Sequence, residues 1–370
     1  MAAPVNRTSG LQLRMKEWGT GIVLCLISLL LSGFLVELVL RSDHFRPSFE
    51  LSGLKIVLDP DVLYRIKPRS REDINVQGFR GKNFRRKRND VKRIMFLGDS
   101  FIFASNVAER DSMPRVIERK LGEQFEVYNF GVIGYGPDQS LVQLKKQVLQ
   151  WKPDEVLLGI YPANDLGDIE ENKIFSLDTR KGLVRNPQNA VSPAFPPSQL
   201  VYWFNLIRSR LIPKPAGSVL FDRFDPLQSQ KLFSTLFDDT YDLDLIDAPD
   251  AGRTQAKLAL MRQILVAFKQ ELDKQNILFR VVIIPSMENI QNSQYFEAMK
   301  IAVEKYFDNE DAIDRICQEE GLERINLYPL LRQTTGKEFF DPTDGHFSVE
   351  GYRFVAEQIG NLIESDFRTD

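Results

Sequence analysis

One serine and one histidine carry most of the chemical interest of this sequence, although they lie far apart along the chain. Ser100 follows Gly98 and Asp99 at the end of an apolar run, and His346 is one of only two histidines in 370 residues. A serine between a strand end and a helix is well placed to act as a nucleophile, because the helix N-terminus favours a nearby oxyanion. The same position also suits a serine that merely caps the helix. Ser100 alone therefore does not establish an enzyme.

The stretch from Asp341 to Ser348 supplies the groups that such a nucleophile needs. Asp344 lies two residues before His346, on a loop that leads into the last predicted helix. A carboxylate there can hold the imidazole in one tautomer and leave the other ring nitrogen free to accept the serine proton. The other histidine, His44, lies beside the apolar N-terminal stretch. His346 is thus the only histidine in the body of the chain.

Two further stretches follow predicted strands and have groups that could bind an oxyanion. The first, residues 129–136, is rich in glycine, which lets backbone N–H groups approach a ligand closely. Its spacing is not that of a dinucleotide-binding loop, and Pro137 follows at once. The second is Asn164-Asp165, where the side-chain amide could donate a hydrogen bond to a developing negative charge. An ordinary Asn-Asp turn is the alternative.

Strands and helices must bring these groups together, and their predicted order is that of a parallel α/β sheet. Apolar runs predict strands at 94–97, 125–130, 155–161, 277–285 and 324–328. Apolar stripes at helical spacing predict helices at 112–121, 138–151, 255–275, 293–306, 311–320 and 348–367. The third strand is apolar on both faces, as expected for a strand covered by helices on both sides. This alternation is typical of the doubly wound fold, whose ligands bind at the carboxyl ends of the strands.

The segment before this domain contains an apolar stretch. Residues 1–18 are a polar tail, and residues 19–40 are long enough for a helix that crosses a hydrocarbon core of ~30 Å. An uncleaved anchor is favoured over a signal peptide, whose apolar region is usually shorter and ends at a small-residue cleavage site. Residues 41–92 are interpreted as a linker. The basic run Arg85–Arg88 within it is either a solvated loop or a contact with anionic lipid or an acidic polymer.

Composition narrows the possible functions. The net charge of −3 gives no general attraction to nucleic acid. Two dispersed cysteines and two histidines form neither a disulfide framework nor a usual zinc site, so no metal or cofactor is expected. Residues 166–255 interrupt the α/β rhythm with several prolines, an apolar patch at 202–207 and an acidic run at 238–250. We interpret them as an insertion over the carboxyl edge of the sheet. The acidic run matches no calcium-binding loop.

Taken together, four short motifs resemble the signature blocks of the SGNH (GDSL) hydrolases. They are Gly98-Asp99-Ser100, the glycine loop around Gly134, Asn164-Asp165 and Asp344-x-His346, in that order over residues 93–366. The resemblance implies a flavodoxin-like three-layer sandwich at 93–370, with a mostly parallel central sheet, preceded by one transmembrane helix. It implies that Ser100 is the nucleophile, His346 the general base and Asp344 the acid that orients it. The Ser100 and Gly134 N–H groups and the Asn164 side chain would form the oxyanion hole.

Two positions depart from the commonest pattern of that family. The acid usually lies three residues before the histidine, where this sequence has Thr343. The spacing of Asp344 resembles the branch that includes alginate O-acetylation proteins, and Asp341 is the reserve acid. Pro162 stands where the third block usually has glycine, which would change the substrate cleft without removing Asn164.

The resemblance implies a membrane-anchored serine esterase or acyl hydrolase that works through an acyl-enzyme. The protein would cross the membrane once and have its catalytic domain on the extracytoplasmic side. Its expected partners are the membrane and an ester-bearing small molecule, lipid or acylated glycan. Two alternatives stay open. The same site could transfer an acyl group to an envelope polysaccharide, or the protein could be a non-catalytic scaffold tethered to the membrane.

Overall fold

The computed structural model describes residues 7–40, 48–51, 53–189, 200, 250–291, 308–334 and 338–369. The predicted helix at 293–306 and most of the expected insertion lie outside the described residues, including the apolar patch at 202–207 and the acidic run up to residue 249. The chain divides into two compact units. The first contains the N-terminal helix, and the second contains the described strands.

Ten strands and ten α-helices are assigned in the described part of the chain. The strands are β1 (Ser48–Leu51), β2 (Leu54–Asp59), β3 (Leu63–Ile66), β4 (Lys92–Gly98), β5 (Phe125–Gly131), β6 (Glu155–Ile160), β7 (Phe175–Asp178), β8 (Gly182–Arg185), β9 (Leu278–Ile283) and β10 (Glu323–Asn326). The helices are α1 (Arg7–Leu40), α2 (Ser100–Phe103), α3 (Met113–Leu121), α4 (Pro137–Gln143), α5 (Asp165–Asn172), α6 (Gly252–Asp273), α7 (Met287–Gln291), α8 (Asp308–Glu319), α9 (Leu327–Arg332) and α10 (Val349–Thr369).

The N-terminal helix α1 begins at Arg7, earlier than the predicted start at residue 19. Its segment Gly21–Leu40 has the length and composition needed to cross a membrane, and none of it is buried by the rest of the protein. A membrane anchor and a signal sequence share this composition. The predicted apolar helix is therefore present, and the structure leaves its side of the membrane open.

A five-stranded parallel sheet organises the second unit. Its strand order is β10-β9-β6-β4-β5, and each of its four pairings is parallel. Numbered along the chain within this sheet, the order is 2-1-3-4-5, which is the flavodoxin-like arrangement. The predicted fold class is confirmed. In this order the connections leave β4 and β6 in opposite directions, which opens a crevice at the carboxyl ends of those two strands.

Helices cover both faces of the parallel sheet. On one face, Ile117 of α3 and Ile359 of α10 belong to the same buried cluster as Ile94 and Phe96 of β4. On the other face lie α4 and α6, where the Phe268 ring stacks on Phe279 of β9 at 5.4 Å between centroids. This two-sided cover explains why every residue of β6 is buried.

A second sheet lies where the sequence analysis places a linker. Strands β1, β2 and β3 form a three-stranded antiparallel sheet, and the segment buries Leu54, Ile56 and Tyr64. The Tyr64 hydroxyl donates to the Ile133 carbonyl at 2.8 Å, and the Tyr135 hydroxyl donates to the Tyr64 carbonyl at 2.5 Å. The sheet therefore supports the glycine loop that follows β5. The prolines of residues 41–92 indicate a linker, but the buried apolar residues of β2, including the run Ile56–Leu58, decide the structure.

The remaining predicted elements differ mainly at their ends. The single helix predicted at 138–151 is α4 followed by one wide π turn at Leu144–Val148 and a 3₁₀ turn at Leu149–Trp151. The last predicted strand stops at Asn326, because the Asn326 side chain accepts a hydrogen bond from the Tyr328 N–H at 3.0 Å and begins α9.

Candidate active site

Ser100 is the first residue of α2 and directly follows the turn that ends β4. Glycines at the ends of three adjacent strands allow α2 to pack there. A Cβ added at Gly98, Gly131 or Gly159 would lie 2.5 to 2.7 Å from atoms of Ile102 or Phe103. Gly98 also has a φ of +149°, which other residues rarely adopt. The glycines thus fix α2, and with it Ser100, at the crevice between β4 and β6.

The capping role in this turn belongs to Asp99 and not to Ser100. The Asp99 carboxylate is buried and accepts a hydrogen bond from the Phe101 N–H at 2.9 Å, as an N-cap residue does. The Ser100 hydroxyl is therefore not used to cap α2. The structure removes the main alternative explanation for a serine at this position.

The Ser100 hydroxyl instead contacts the histidine that the sequence analysis singles out. Its Oγ lies 2.8 Å from Nε2 of His346, which is a normal hydrogen-bond distance. The loop that presents His346 is narrow and regular. Phe340 and Phe347 form a single antiparallel bridge, and the Asp341 N–H donates to the His346 carbonyl at 2.7 Å. These backbone bonds orient the ring toward α2.

Two side chains hold this histidine loop against the serine turn. The Phe101 ring lies 4.8 Å from the His346 ring, centroid to centroid, and also packs against Phe347 at 5.2 Å. The Asn106 amide, a few residues after α2, donates to the Phe347 carbonyl at 3.0 Å. Because both contacts join α2 and its following turn to the histidine loop, the Ser100–His346 distance depends on them.

Of the two candidate acids, Asp344 is the one that lies near the imidazole. Its Oδ2 is 3.5 Å from His346 Nδ1, which is long for a hydrogen bond, and its Oδ1 accepts the His346 N–H at 3.0 Å. The Asp341 carboxylate is occupied elsewhere, because it accepts bonds from the Thr343 N–H and hydroxyl at 2.9 and 2.7 Å. These two bonds lower the pKa of Asp341.

The expected oxyanion donors lie at the same edge of the sheet. Gly134, with a φ of +70°, lies in the loop after β5, and Asn164 lies between β6 and α5. The loop after β5 approaches α5 closely, since a Cβ on Gly136 would lie 3.1 Å from the Asp168 Cβ. Asn164 is the N-cap residue of α5, but its side chain makes no capping bond and its Oδ1 has no partner in the described structure.

The sequence comparison agrees with this arrangement. Residues 241–369 match the sequence model of a family described as "SGNH hydrolase-like domain, acetyltransferase AlgX". The matched residues include the histidine loop, and Ser100 lies before them. Residues 241–369 are therefore similar to an SGNH hydrolase-like domain. No curated protein sequence matches the chain.

Several solved structures resemble this chain in backbone arrangement. One is the lipase/acylhydrolase from Enterococcus faecalis, at 15% identity and a TM-score of 0.41, with 75% of this chain and 97% of that chain covered. The psychrotrophic esterase EstA from Pseudoalteromonas sp. has 11% identity, a TM-score of 0.40 and coverage of 75% and 99%. The acetyl xylan esterase AlAXEase has 13% identity, a TM-score of 0.38 and coverage of 73% and 99%. Likenesses at this level carry no conclusion about activity.

Two buried carboxyl groups of the second unit have strongly raised pKa values. Burial, and then the charge of Asp99, raise the pKa of Asp165 well above its ordinary value. The Asp165 carboxyl accepts the Tyr161 N–H at 2.7 Å and so closes the loop that carries Asn164. Burial alone raises the pKa of Asp138 to about 7. Its Oδ1 accepts the Gln139 N–H and the Asn172 amide, at 2.8 and 3.0 Å, just after the glycine loop.

Arg80 is the most important residue that sequence reasoning missed. Its guanidinium is buried and donates to the carbonyls of Phe103, Ala104 and Val107, which follow Ser100 at the end of α2. Asp73 accepts from the Arg80 Nε–H at 2.7 Å and balances its charge. Arg80 therefore fixes the far end of the one-turn helix whose first residue is Ser100. An arginine in a segment predicted to be a linker carries no sequence signal of such a contact.

Metal ligands do not form a cluster in the described part of the chain. No group of three or more histidine, cysteine or acidic side chains is close enough there to hold a metal ion. The described free cysteines are Cys25 on α1 and buried Cys317 on α8, where burial raises the pKa of the thiol to about 12. A raised pKa is the opposite of what makes a cysteine reactive, so Cys317 is not a candidate nucleophile.

Proposed function

We propose that this protein is a serine-dependent acyl-transfer enzyme, acting first of all as an esterase, and that α1 anchors it in a membrane with the catalytic unit on the extracytoplasmic side. One observation carries the proposal. The Ser100 Oγ and His346 Nε2 atoms, remote in sequence, lie 2.8 Å apart at the crevice of a doubly wound sheet. That is the arrangement of a nucleophile and its general base.

In the proposed reaction, the neutral His346 ring accepts the hydroxyl proton at Nε2 as Ser100 Oγ attacks the ester carbonyl. The tetrahedral oxyanion then collapses, the ester C–O bond breaks, and His346 returns the proton to the departing alcohol. An acyl-Ser100 ester remains. His346 next deprotonates a water molecule that attacks this ester, and the released carboxylic acid leaves Ser100 protonated as at the start.

The oxyanion of both tetrahedral states would be held by three donors. These are the Ser100 N–H at the start of α2, the Gly134 N–H and the Asn164 side-chain amide. The support for Asn164 is that its side chain makes no capping bond, although it is the N-cap residue of α5. An amide held ready in this way costs no reorganisation when the charge develops.

Asp344 is the proposed acid partner of His346. Its carboxylate lies 3.5 Å from Nδ1 and favours the imidazolium that forms when Ser100 loses its proton. The distance is long for a hydrogen bond, and such contacts often tighten only when substrate is bound. Asp341 is the weaker candidate because Thr343 already uses its carboxylate.

A second function, transfer of the acyl group to a sugar hydroxyl, is supported by one specific observation. The family matched by residues 241–369 is described as an acetyltransferase. Transfer uses the same acyl-enzyme, and the hydroxyl of an acceptor glycan replaces water as the second nucleophile. The two functions therefore differ only in which acceptor reaches acyl-Ser100 first.

Turnover of p-nitrophenyl acetate by the full chain in a neutral detergent tests the proposal. We expect Ser100→Ala to lower kcat/KM at least about 10³-fold. Ser105→Ala, a neighbouring serine outside the site, is the matched control and should stay within about twofold. A Ser100→Ala protein as active as the wild type, or a wild type without any activity, would favour the scaffold alternative. Adding acetylatable oligosaccharides and measuring the partition of acetate between glycan and water separates transferase from hydrolase.

A further inference from the structure

A basic cleft lies at the opposite end of the parallel sheet from Ser100. The loop before β4 and the turn before β6 form its walls, with Arg86, Lys87 and Arg88 on one side and Gln150, Trp151 and Lys152 on the other. Its volume is about 600 Å³, which is within the usual range for ligand pockets. Because β4 runs seven residues from one end of the sheet to the other, the cleft is about 20 Å from the serine.

The cations of this cleft are not all neutralised by the protein. Lys87 pairs with Asp154 at 2.5 Å. Among the described residues, the highly exposed Arg88 forms one ion pair, with the exposed Asp90 at 3.3 Å, and donates to the Glu123 carbonyl at 3.4 Å. A pair between two exposed side chains contributes little. Arg86 and Lys152 are exposed, and neither has an acidic partner in the part of the chain that the structure describes. In a chain with a net charge of −3, this is a local surplus of positive charge.

The cleft floor is rigid, which distinguishes it from a loosely solvated loop. Arg93 is fully buried and donates to the Glu126 carboxylate at 2.9 and 2.5 Å and to the Trp151 carbonyl at 2.8 Å. The Trp151 ring meets the Phe84 ring edge-on at 5.4 Å. Both walls are therefore tied to the core of the unit.

We propose that this cleft binds a strand of an acidic glycan. Arginine and lysine recognise carboxylate or sulfate groups, the Gln150 amide can bind hydroxyl groups, and an indole ring offers an apolar surface to a sugar face. A concave cleft admits a linear chain, whereas a flat lipid surface would meet only its rim. The inference does not depend on the proposed function, since it concerns binding about 20 Å from Ser100.

Binding of fluorescein-labelled oligogalacturonate to the full chain in neutral detergent micelles tests the proposal by fluorescence anisotropy. We expect measurable binding that weakens as salt rises. The double variant Arg86→Gln/Lys152→Gln should lose affinity about tenfold or more. The matched control Arg180→Gln/Lys181→Gln removes the same charge from the exposed β7–β8 hairpin and should change affinity less than twofold. Ester turnover without glycan should be the same in both double variants.

Three results would overturn the proposal. The first is equal weakening in the two double variants, because it would show general charge attraction and not a site. The second is equal binding of labelled neutral dextran. The third is displacement of the labelled oligomer by glycerophosphoglycerol at lower concentration than by free galacturonate, which would assign the cleft to anionic lipid headgroups. None of these outcomes depends on whether Ser100 is a catalytic residue, so failure here and failure of the proposed function are distinguishable.

Discussion

The two ends of the parallel sheet differ in whether their polar groups have partners within the protein. At the amino ends of the strands, buried charges are matched by partners. Arg280 of β9 forms ion pairs with Glu155, Glu323 and Asp366, and Arg93 of β4 pairs with Glu126. At the carboxyl ends, the polar side chains beside Ser100 keep unused hydrogen-bonding capacity, as the Asn164 Oδ1 and His346 Nδ1 atoms show.

This difference distinguishes polar groups that stabilise the fold from polar groups that can act on a ligand. A satisfied ion-pair cluster holds strands together, and its groups have nothing left to offer a ligand. Polar groups that the fold positions but does not satisfy are available to a substrate or a transition state. The basic cleft is the exception at the amino end, because its rim keeps cations that the protein does not neutralise. The variants below test whether the two ends act independently, in order of decreasing expected effect.

The largest effect is expected from the acid beside His346. Asp344→Asn should lower kcat/KM for p-nitrophenyl acetate by about 10³-fold or more, because the amide no longer stabilises the imidazolium. Asp341→Asn is the matched control and should cost less than about tenfold. Glycan binding at the other end should be unchanged in both variants. If Asp341→Asn proved the more damaging, the acid would have to be reassigned.

Asn164→Ala should cost about 100-fold in kcat, since it removes one proposed donor to the oxyanion. Its KM should change little, because the donor acts mainly in the transition state. Steady-state kinetics on p-nitrophenyl acetate measures both constants. Asn289→Ala changes an asparagine beyond the neighbouring strand β9 and serves as the control for folding. Near-normal kcat in Asn164→Ala would remove this residue from the oxyanion hole.

Arg80→Met should lower kcat about tenfold through the position of Ser100, with KM changed less than twofold. It should also lower the free energy of unfolding by about 3 kcal/mol, because Asp73 and three carbonyls lose their partner. Chemical denaturation and steady-state kinetics measure the two effects. Arg110→Met, which removes a highly exposed arginine of the turn before α3, should change neither. A variant that lost stability but kept kcat would show that Arg80 has a structural role only.

The smallest effect on activity is expected from Asp138, whose contribution is to stability. Burial raises its pKa from 3.8 to about 7, so the folded protein holds this proton more tightly than the unfolded chain does. The resulting stabilisation is full below about pH 4 and is lost as the pH rises to about 7, with an upper limit of about 4 kcal/mol. Asp138→Asn should therefore lose less stability than the wild type between pH 5 and 8. Thermal unfolding curves that shift in parallel for both proteins would contradict this account.

The sequence predicts the parallel sheet well because its strands are covered on both faces. The predicted run at 94–97 lies inside β4, and the predicted run at 125–130 lies inside β5. Continuous apolar runs of this kind, placed between amphipathic helices, have few other structures available. The same pattern predicts where the site lies. The carboxyl ends of parallel strands share one edge of the sheet, and Ser100, Asn164 and His346 lie at that edge.

Long-range contacts of single side chains were beyond prediction from the sequence. The guanidinium of Arg80 reaches carbonyls more than twenty residues away, and the hydroxyl of Tyr64 reaches Ile133. Nothing in the local pattern of either residue specifies its partner. The prolines before and after β2 also outweighed the short apolar run that makes it a strand. Such features depend on tertiary packing, which overrides local preference.

The central claim is that His346 activates Ser100, and labelling by a fluorophosphonate probe tests it most directly. The full chain in neutral detergent is treated with the probe, digested, and the modified peptide is identified by mass spectrometry. The account predicts a single label on Ser100, with a second-order labelling rate at least about 10³-fold lower in His346→Asn than in the wild type. The control His44→Asn should label like the wild type. Labelling of another serine, or the same rate in His346→Asn, would contradict the account.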